Sequence, residues 1–376
     1  MKKIIYITNI FPEYRIAIWK CLLNSKAFDM DIYFSQKNPL GINSPELKDV
    51  FTNDEVSRLH LIKNYWLKKK FLIWQSKIVS TVLFSPFDYL LLIGEMNIVS
   101  SWFSIFIAKL RGKKIYMWSH GIYGNESSIK KYLRLMFLKQ SDFIFLYENR
   151  AKLLLTQNGF NEKSLAVVYN SLNFELFETL YKGLLNTHKN KFITFFKNNS
   201  LPTILFIGRL TKTKKLTLLI EAVKKLNQAN IRYNLLIVGS GEDHKYLKNI
   251  YTSLIDQGWV HFYGNCYDND KTSKLIYHSD LCVSPGNIGL TAIHSLSYGT
   301  PVASHNNFNN QMPEIEAIID GENGFLFEEN NLDDLANKID NWFLNNFKID
   351  KNLIRKIIIE KYNPENQMRV FKSFFS

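Results

Sequence analysis

The stretch Ile204–Ala222, ILFIGRLTKTKKLTLLIEA, sets the reading of the chain. Four uncharged apolar residues run into Gly208, Arg209 follows at once, and Lys212, Lys214 and Lys215 lead into an apolar segment with helical spacing. A buried strand that turns at a glycine into an amphipathic helix is half of a βαβ unit. The alternation continues downstream, with strands predicted over Asn234–Val238, Val260–Phe262, Asp280–Val283 and Pro301–Ser304 beside Thr203–Ile207. Helices are predicted over Lys215–Asn227, Asp243–Gln257, Lys271–His278 and Leu290–Tyr298. Upstream the pattern has already run once. Lys3–Thr8, Met30–Phe34, Tyr89–Ile93, Lys114–Trp118, Phe143–Tyr147 and Ala166–Tyr169 read as strands, with helices such as Arg15–Asn24, Ile98–Leu110 and Ser127–Lys139 between them. Strands separated by helices imply right-handed crossovers and parallel sheets. The prediction is an α/β protein of two doubly wound domains, 1–175 and 202–350, joined by a polar linker over 176–201 and followed by a helix within 351–376.

Length and composition agree. At 376 residues the chain exceeds one ordinary core, and 46% hydrophobic with 22% charged residues is a globular mixture that argues against disorder or coiled coil. Cys21, Cys266 and Cys282 stand far apart with no metal-ligand spacing, which points away from disulfides and structural zinc and towards a reducing compartment. No run reaches the roughly 18 apolar residues that span a bilayer. Asp88–Leu110 is broken by Gly94, Glu95 and Asn97, and the N-terminus reads as a first strand rather than a signal peptide. A soluble, cytoplasmic chain is expected.

The charge is lopsided. Residues 1–200 hold 28 Lys+Arg against 15 Asp+Glu, whereas 201–376 hold 19 of each. The whole excess of +13 therefore lies in the first half, as suits an anionic partner, although a Lys-rich surface kept for solubility is the plainer reading. Leu61–Lys77 carries five lysines and no acid among Tyr65, Trp66, Phe71 and Trp74, and Lys109–Gln140 carries eight basic residues against Glu126 alone. Basic and aromatic residues mixed on helices suit an anionic membrane leaflet. A single-stranded nucleic acid is the rival partner.

Three strand-to-helix turns in the second half are candidate ligand loops. Gly208-Arg209 with Lys214 places cations before a helix N-terminus, as a diphosphate requires. Gly239 and Gly241 form a GxG that lacks the third glycine of a dinucleotide fingerprint. Gly286 and Gly289 precede the helix that opens at Leu290-Thr291, a second phosphate or sugar cradle. Each turn has a purely structural alternative.

Taken together, GRLxxxK (Gly208–Lys214), GxG (Gly239, Gly241), VHFYG (Val260–Gly264), GLTAIHSLSYGTPV (Gly289–Val302) and EAIIDGENGFLF (Glu316–Phe327) resemble the nucleotide-sugar domain of glycosyltransferase family 4. These are retaining enzymes of the GT-B fold. The resemblance implies two Rossmann-like domains facing a central cleft, with the C-terminal helix returning towards the N-terminal domain. It implies that Arg209 and Lys214 hold the donor diphosphate, that Gly289, Leu290 and Thr291 support the distal phosphate, and that Val260 and Tyr263 lie near the base. The family's two glutamates, eight positions apart, fall here on Gly286 and His294. His294 can still bond a ribose through a ring nitrogen, and Glu314 and Glu316 are candidates for the sugar. The resemblance also places His120, in WSHGIYGNES, beside donor sugar and acceptor as the foremost catalytic candidate. Arg15 could meet an acceptor phosphate.

The implied activity is metal-independent transfer of a sugar from a nucleotide-sugar donor, UDP favoured over GDP, to a saccharide or lipid-linked acceptor, with retention. It would serve surface polysaccharide, lipopolysaccharide or O-antigen synthesis at the inner face of the membrane, with no cofactor and no nucleic acid. An epimerase or hydrolase on the same fold, or a non-catalytic nucleotide- or glycan-binding protein, remains an alternative. Charge growing on a leaving diphosphate is stabilised by fixed cations and helix dipoles. Neither a Ser-His-Asp set nor a paired-carboxylate glycosidase site is found.

Overall fold

The computed structural model describes residues 1–36, 45–67, 71–346 and 350–375. The chain forms two compact units, Met1–Asn173 with Asn363–Ser376, and Phe174–Tyr362. Among the described residues of the first, the strands are β1 (Lys2–Ile10), β2 (Phe28–Ser35), β3 (Leu59–Leu61), β4 (Asn64–Leu67), β5 (Leu72–Gln75), β6 (Tyr89–Ile93), β7 (Lys114–Ser119), β8 (Phe143–Leu146) and β9 (Leu165–Val167). Those of the second are β10 (Thr203–Ile207), β11 (Asn234–Val238), β12 (Val260–Gly264), β13 (Leu281–Ser284), β14 (Val302–His305) and β15 (Gly324–Phe327).

The first unit is built on a seven-stranded parallel sheet in the order β3-β2-β1-β6-β7-β8-β9. Period-two geometry sends alternate residues of β1 to opposite faces. Ile4 and Tyr6 enter a core with Trp19, Phe28 and Phe145, while Ile5 and Ile7 enter another with Leu90, Leu92 and Met117. Winding reverses between β1 and β6, so the switch point where such sheets take ligands lies at the ends of these strands. The second unit repeats the plan as β12-β11-β10-β13-β14-β15, and its switch point falls between β10 and β13.

Several sequence expectations are corrected. Leu61–Lys77, expected as basic helix, contains the antiparallel hairpin β4–β5, and Lys68, Lys69 and Lys70 lie outside the described residues. The stretch expected as a linker begins with a helix, Phe174–Leu184, whose Phe177, Tyr181 and Leu184 are buried at i, i+4 and i+7. Asp243–Gln257 is two helices meeting at Tyr251, not one. Strands β3 and β15 were not anticipated, being only three and four residues long.

The final helix is also two, Lys351–Glu360 and Pro364–Phe375. Pro364 has no N–H to continue the first helix and pushes Asn363 out of helical geometry, but it suits the first turn of the next. The break coincides with the passage from the second unit back to the first. In the first unit the last helix seals the sheet with aromatic rings. Phe371 meets Trp118 at 5.0 Å and Phe145 at 4.7 Å between ring centroids, and Phe375 stacks on Tyr116 at 5.2 Å. Gln367 anchors the helix by accepting from Ser171 Oγ at 2.6 Å and donating to the Tyr169 carbonyl at 2.9 Å.

Phe371 is fully buried, so Phe371→Ala should remove about 3–5 kcal/mol from the first unit. Urea unfolding followed by tryptophan fluorescence should show an early transition in the variant, and unchanged unfolding would mean that the C-terminal helix is not part of that core.

Candidate functional site

In the second unit the site is built where loops after β10, β11 and β13 press backbone against backbone. A side chain on Gly239 would place Cβ 1.9 Å from the Gly208 carbonyl oxygen, and one on Gly241 would stand 2.3 Å from that of Leu210. The loops are stitched by Gly208 N donating to Val238 O and Leu210 N donating to Ser240 O, both at 3.0 Å. The GxG is thus required by packing, whatever else it does. Gly286 is equally confined, with a Cβ 2.0 Å from Thr213 O, and its N–H donates to Lys214 O at 3.1 Å. No glutamate can stand there without moving the Lys214 loop.

Lys214 bridges the switch point. Its Nζ donates to Asn287 O at 2.6 Å and to Asn287 Oδ1 at 2.9 Å, leaving one of its three N–H groups unspent. Burial lowers its pKa, the nearby Arg209 lowers it further, and Glu314 acts in the opposite direction. Arg209 is exposed, and among the described residues its guanidinium makes no hydrogen bond or ion pair. The next residue, Lys215, occupies the left-handed region at φ 51°, a conformation that glycine adopts most readily. Its Nζ pairs with Glu329 at 2.6 Å. Burial would raise the Glu329 pKa, but hydrogen bonds from Lys215, Asn310 and Asn307 bring it down to about 2.

The loop after β13 is held by a residue that the sequence reading did not single out. Gln311 accepts from Ile288 N at 2.7 Å through Oε1, and its Nε2 donates to Ser304 Oγ and His305 O at 2.9 Å each. Ile288 N is thereby occupied, while Gly289, Leu290 and Thr291 open the Thr291–Ser297 helix with amides that have no preceding turn to bond. Thr291 Oγ1 donates to Ile207 O at 3.2 Å. A Cβ on Gly289 would make ordinary contacts, 3.9 Å from both Glu314 Oε2 and Met312 Cγ. Glu314, rather than Glu316, is therefore the acid beside both Lys214 and Gly289; Glu316 lies two residues on, half-buried.

Two expectations change. Val260 is core, packed with Leu235 and Trp259, so its side chain is not available to a base. Tyr263 is half-buried and meets Phe195 edge-on at 5.5 Å, and His261 stacks on the same ring at 4.6 Å. His294 lies flat on Phe177 at 4.8 Å and 15°, with Nε2 buried and unbonded. Burial pulls its pKa down to about 4. The imidazole packs as a neutral ring on the Phe174–Leu184 helix while the residue stays partly exposed, so Nε2 is the ring nitrogen closed to a ribose.

In the first unit, Arg15 and His120 come together at the ends of β1 and β7. The Arg15 guanidinium covers the Trp118 ring at 4.2 Å, and its Nη2 donates to the Tyr147 hydroxyl. Tyr147 packs on His120 at 4.5 Å, and Tyr123 stacks on the same imidazole at 6.0 Å. Beyond Tyr123 lies Arg134, 4.9 Å above its ring. Burial, then Arg15, then Arg134 push the His120 pKa down to about 4, so the ring is neutral at physiological pH. Burial raises the pKa of Glu95, against the pull of Arg134 and Lys130. Among the described residues no three His, Cys, Asp or Glu side chains group as metal ligands.

A family model described as "Glycosyl transferases group 1" matches residues 188–359, the greater part of the second unit. The uncharacterized glycosyltransferase MJ1069 of Methanocaldococcus jannaschii is 24% identical over 247 residues, 64% of this chain and 59% of that protein. The chain spans less than two thirds of the length of the curated relatives it matches. Among solved structures, Anabaena Alr3699/HepE in complex with UDP superposes with a TM-score of 0.68 at 14% identity, covering 99% and 98% of the two chains. The apo form of the lipopolysaccharide outer core galactosyltransferase WaaB gives 0.69 at 16% identity, covering 99% and 98%. Two doubly wound parallel-sheet units with a helical C-terminus are the GT-B architecture, and this chain has that fold.

Because Gly286 has no room for a side chain, Gly286→Glu, which writes in the residue of the resembling family, should damage the site rather than restore it. Thermal unfolding should show a lower melting temperature for the variant. Unchanged stability would show that the Lys214 loop yields freely.

Proposed function

We propose that this chain is a retaining glycosyltransferase that moves a sugar from a nucleotide donor, UDP-linked rather than GDP-linked, to a saccharide acceptor carried on a lipid. The observation that carries the reading is the cation-lined switch point of the second unit. Lys214 is fixed by Asn287, Arg209 is free, and the Gly289–Thr291 amides stand beside them, all within the segment that matches the group 1 family model. The preference for UDP is supported by the similarity to a protein solved with UDP. The setting in lipopolysaccharide or related surface-glycan assembly is supported by the similarity to WaaB.

The chemistry needs positioning more than a strong protein nucleophile. The bond from the anomeric carbon to the diphosphate oxygen breaks, the acceptor hydroxyl oxygen bonds to the same face of that carbon, and its proton passes to a phosphate oxygen. Charge grows on the diphosphate during this step. Arg209, Lys214 and the helix-start amides stabilise it without reorganising, and no divalent ion is called for. Neutral His120, on the first unit, is suited to orient an acceptor hydroxyl through a ring nitrogen rather than to supply charge.

The acceptor's lipid accounts for the surface of the first unit. The helices Ile78–Phe84, Val99–Leu110 and Ser128–Leu138 expose Phe84, Phe103, Phe106, Leu110, Ile129 and Tyr132. Contact between Trp102 and Phe137 at 4.8 Å joins the last two helices, and Lys109, Lys130 and Lys139 stand exposed among the apolar residues. Rings and apolar side chains with cations beside them suit an anionic leaflet, each nearby cation contributing about 1 kcal/mol. No helix among the described residues is long and apolar enough to cross a membrane.

Two experiments test the reading. Calorimetric titration of UDP should give equal affinity with magnesium and with EDTA, and Arg209→Ala should weaken binding by about 10- to 100-fold, as for loss of a charge-assisted hydrogen bond. Undiminished affinity in the variant would overturn the diphosphate assignment. In the second, the wild type should sediment with phosphatidylglycerol vesicles and Phe106→Glu combined with Ile129→Glu should remain in the supernatant. Full retention of the double variant would remove this face from the membrane argument.

A further inference from the structure

Arg15 poses an electrostatic problem that the first unit does not solve. It is 8% exposed, and among the described residues none of its contacts is with a carboxylate. Its surroundings are the Trp118 ring at 4.2 Å, the Tyr147 ring at 5.4 Å, the Tyr14 ring at 5.8 Å and the Tyr147 hydroxyl. Its Nη1 is buried and has no hydrogen-bond partner. Withdrawing a guanidinium from water costs several kcal/mol. Cation–π contacts return about 0.5–2 kcal/mol each and satisfy no N–H.

Arg134 makes the contrast. It is equally buried, but its Nε lies 3.3 Å from Glu126 Oε1. That separation is an ion pair although the alignment is not that of a hydrogen bond, so Nε and Nη1 both lack a hydrogen-bond acceptor. Its charge is balanced and that of Arg15 is not. Between the two, His120 keeps Nδ1 buried and unbonded, and burial first, with both arginines adding to it, holds it neutral. The row Arg15, Tyr147, His120, Tyr123, Arg134 stands beyond the carboxyl ends of β1, β7 and β8. That edge of a doubly wound sheet is where ligands bind.

We infer that Arg15 and His120 form an oxyanion site that takes a phosphate or carboxylate group of the acceptor. The inference rests on the transferase reading above for the word acceptor, but the site itself belongs to the first unit alone. An incoming oxyanion supplies the missing counter-charge and accepts from Arg15 Nη1, while His120 offers a neutral imidazole N–H to the same group. The phosphate of a phospholipid-linked or phosphorylated glycan and the carboxylate of an acidic sugar share this chemistry.

The test uses the full chain with glucose 1-phosphate, glucuronate and neutral glucose as probes, followed by NMR shift perturbation and calorimetry, with UDP titrated in parallel. The wild type should bind one of the anionic probes more tightly than glucose. Arg15→Gln should weaken that binding by about tenfold or more and leave UDP affinity within about twofold. The phosphate probe alone would mark a phosphorylated acceptor, and the glucuronate probe alone an acidic sugar. Should Arg15→Gln fail to fold, Arg15→Lys keeps the charge without the fork and should retain only part of the affinity. Equal binding of the anion by wild type and a folded variant, or no preference for either anion over glucose, overturns the inference. A wild type that binds UDP but neither anion sinks this site and spares the donor reading; Arg15-dependent anion binding without UDP binding does the reverse.

Discussion

The second unit depends on three places where one loop's backbone touches another's with no side chain between them. Gly239 lies against Gly208, Gly241 against Leu210, and Gly286 against Thr213 and Lys214, at separations where a Cβ would come within 1.9 to 2.3 Å of a carbonyl oxygen. These contacts draw the ends of β10, β11 and β13 together across the switch point. Only then can Lys214 reach the carbonyl and amide oxygen of Asn287 and stay there. Gln311 completes the arrangement by taking the Ile288 N–H, so the helix-start amides next to it keep a fixed direction. A set of preorganised donors follows from what glycine lacks.

The first unit reaches a site by a different physical route. Its chemistry is held by aromatic rings rather than by backbone closeness. Phe371 and Tyr147 pack on Trp118, Trp118 carries the Arg15 guanidinium, and Tyr147 carries both Arg15 and His120. The last residues of the chain therefore support side chains from the first fifteen. Burial makes the two histidines of greatest interest neutral for different ends. Positive neighbours surround His120, whereas His294 is spent on stacking with Phe177.

Much of this was legible in the sequence. Short unbroken apolar runs between helical patterns identified the main strands of both sheets, because strands buried on both faces carry apolar residues at every position. Short edge elements were missed, since three or four residues carry too little periodicity to stand out. The helix Phe174–Leu184 was hidden in a polar stretch, although its buried residues keep i, i+4, i+7 spacing. The motifs named Arg209 and Lys214 as candidates in one loop and Arg15 and His120 as candidates elsewhere, without revealing that the last two share Tyr147.

What the sequence determined by itself is the alternation of strand and helix, the place of each glycine turn and the excess of cations in the first half. These are local quantities, set by side-chain type and spacing. What only the tertiary structure decided is which of these residues meet. Gly286 proved to be a packing necessity, Val260 proved to be core, His294 proved to stack on Phe177, and Glu314 rather than Glu316 stands beside Lys214. The charge of Arg15 likewise acquires its meaning from burial without a carboxylate, and burial is a property of the whole packed chain rather than of any segment.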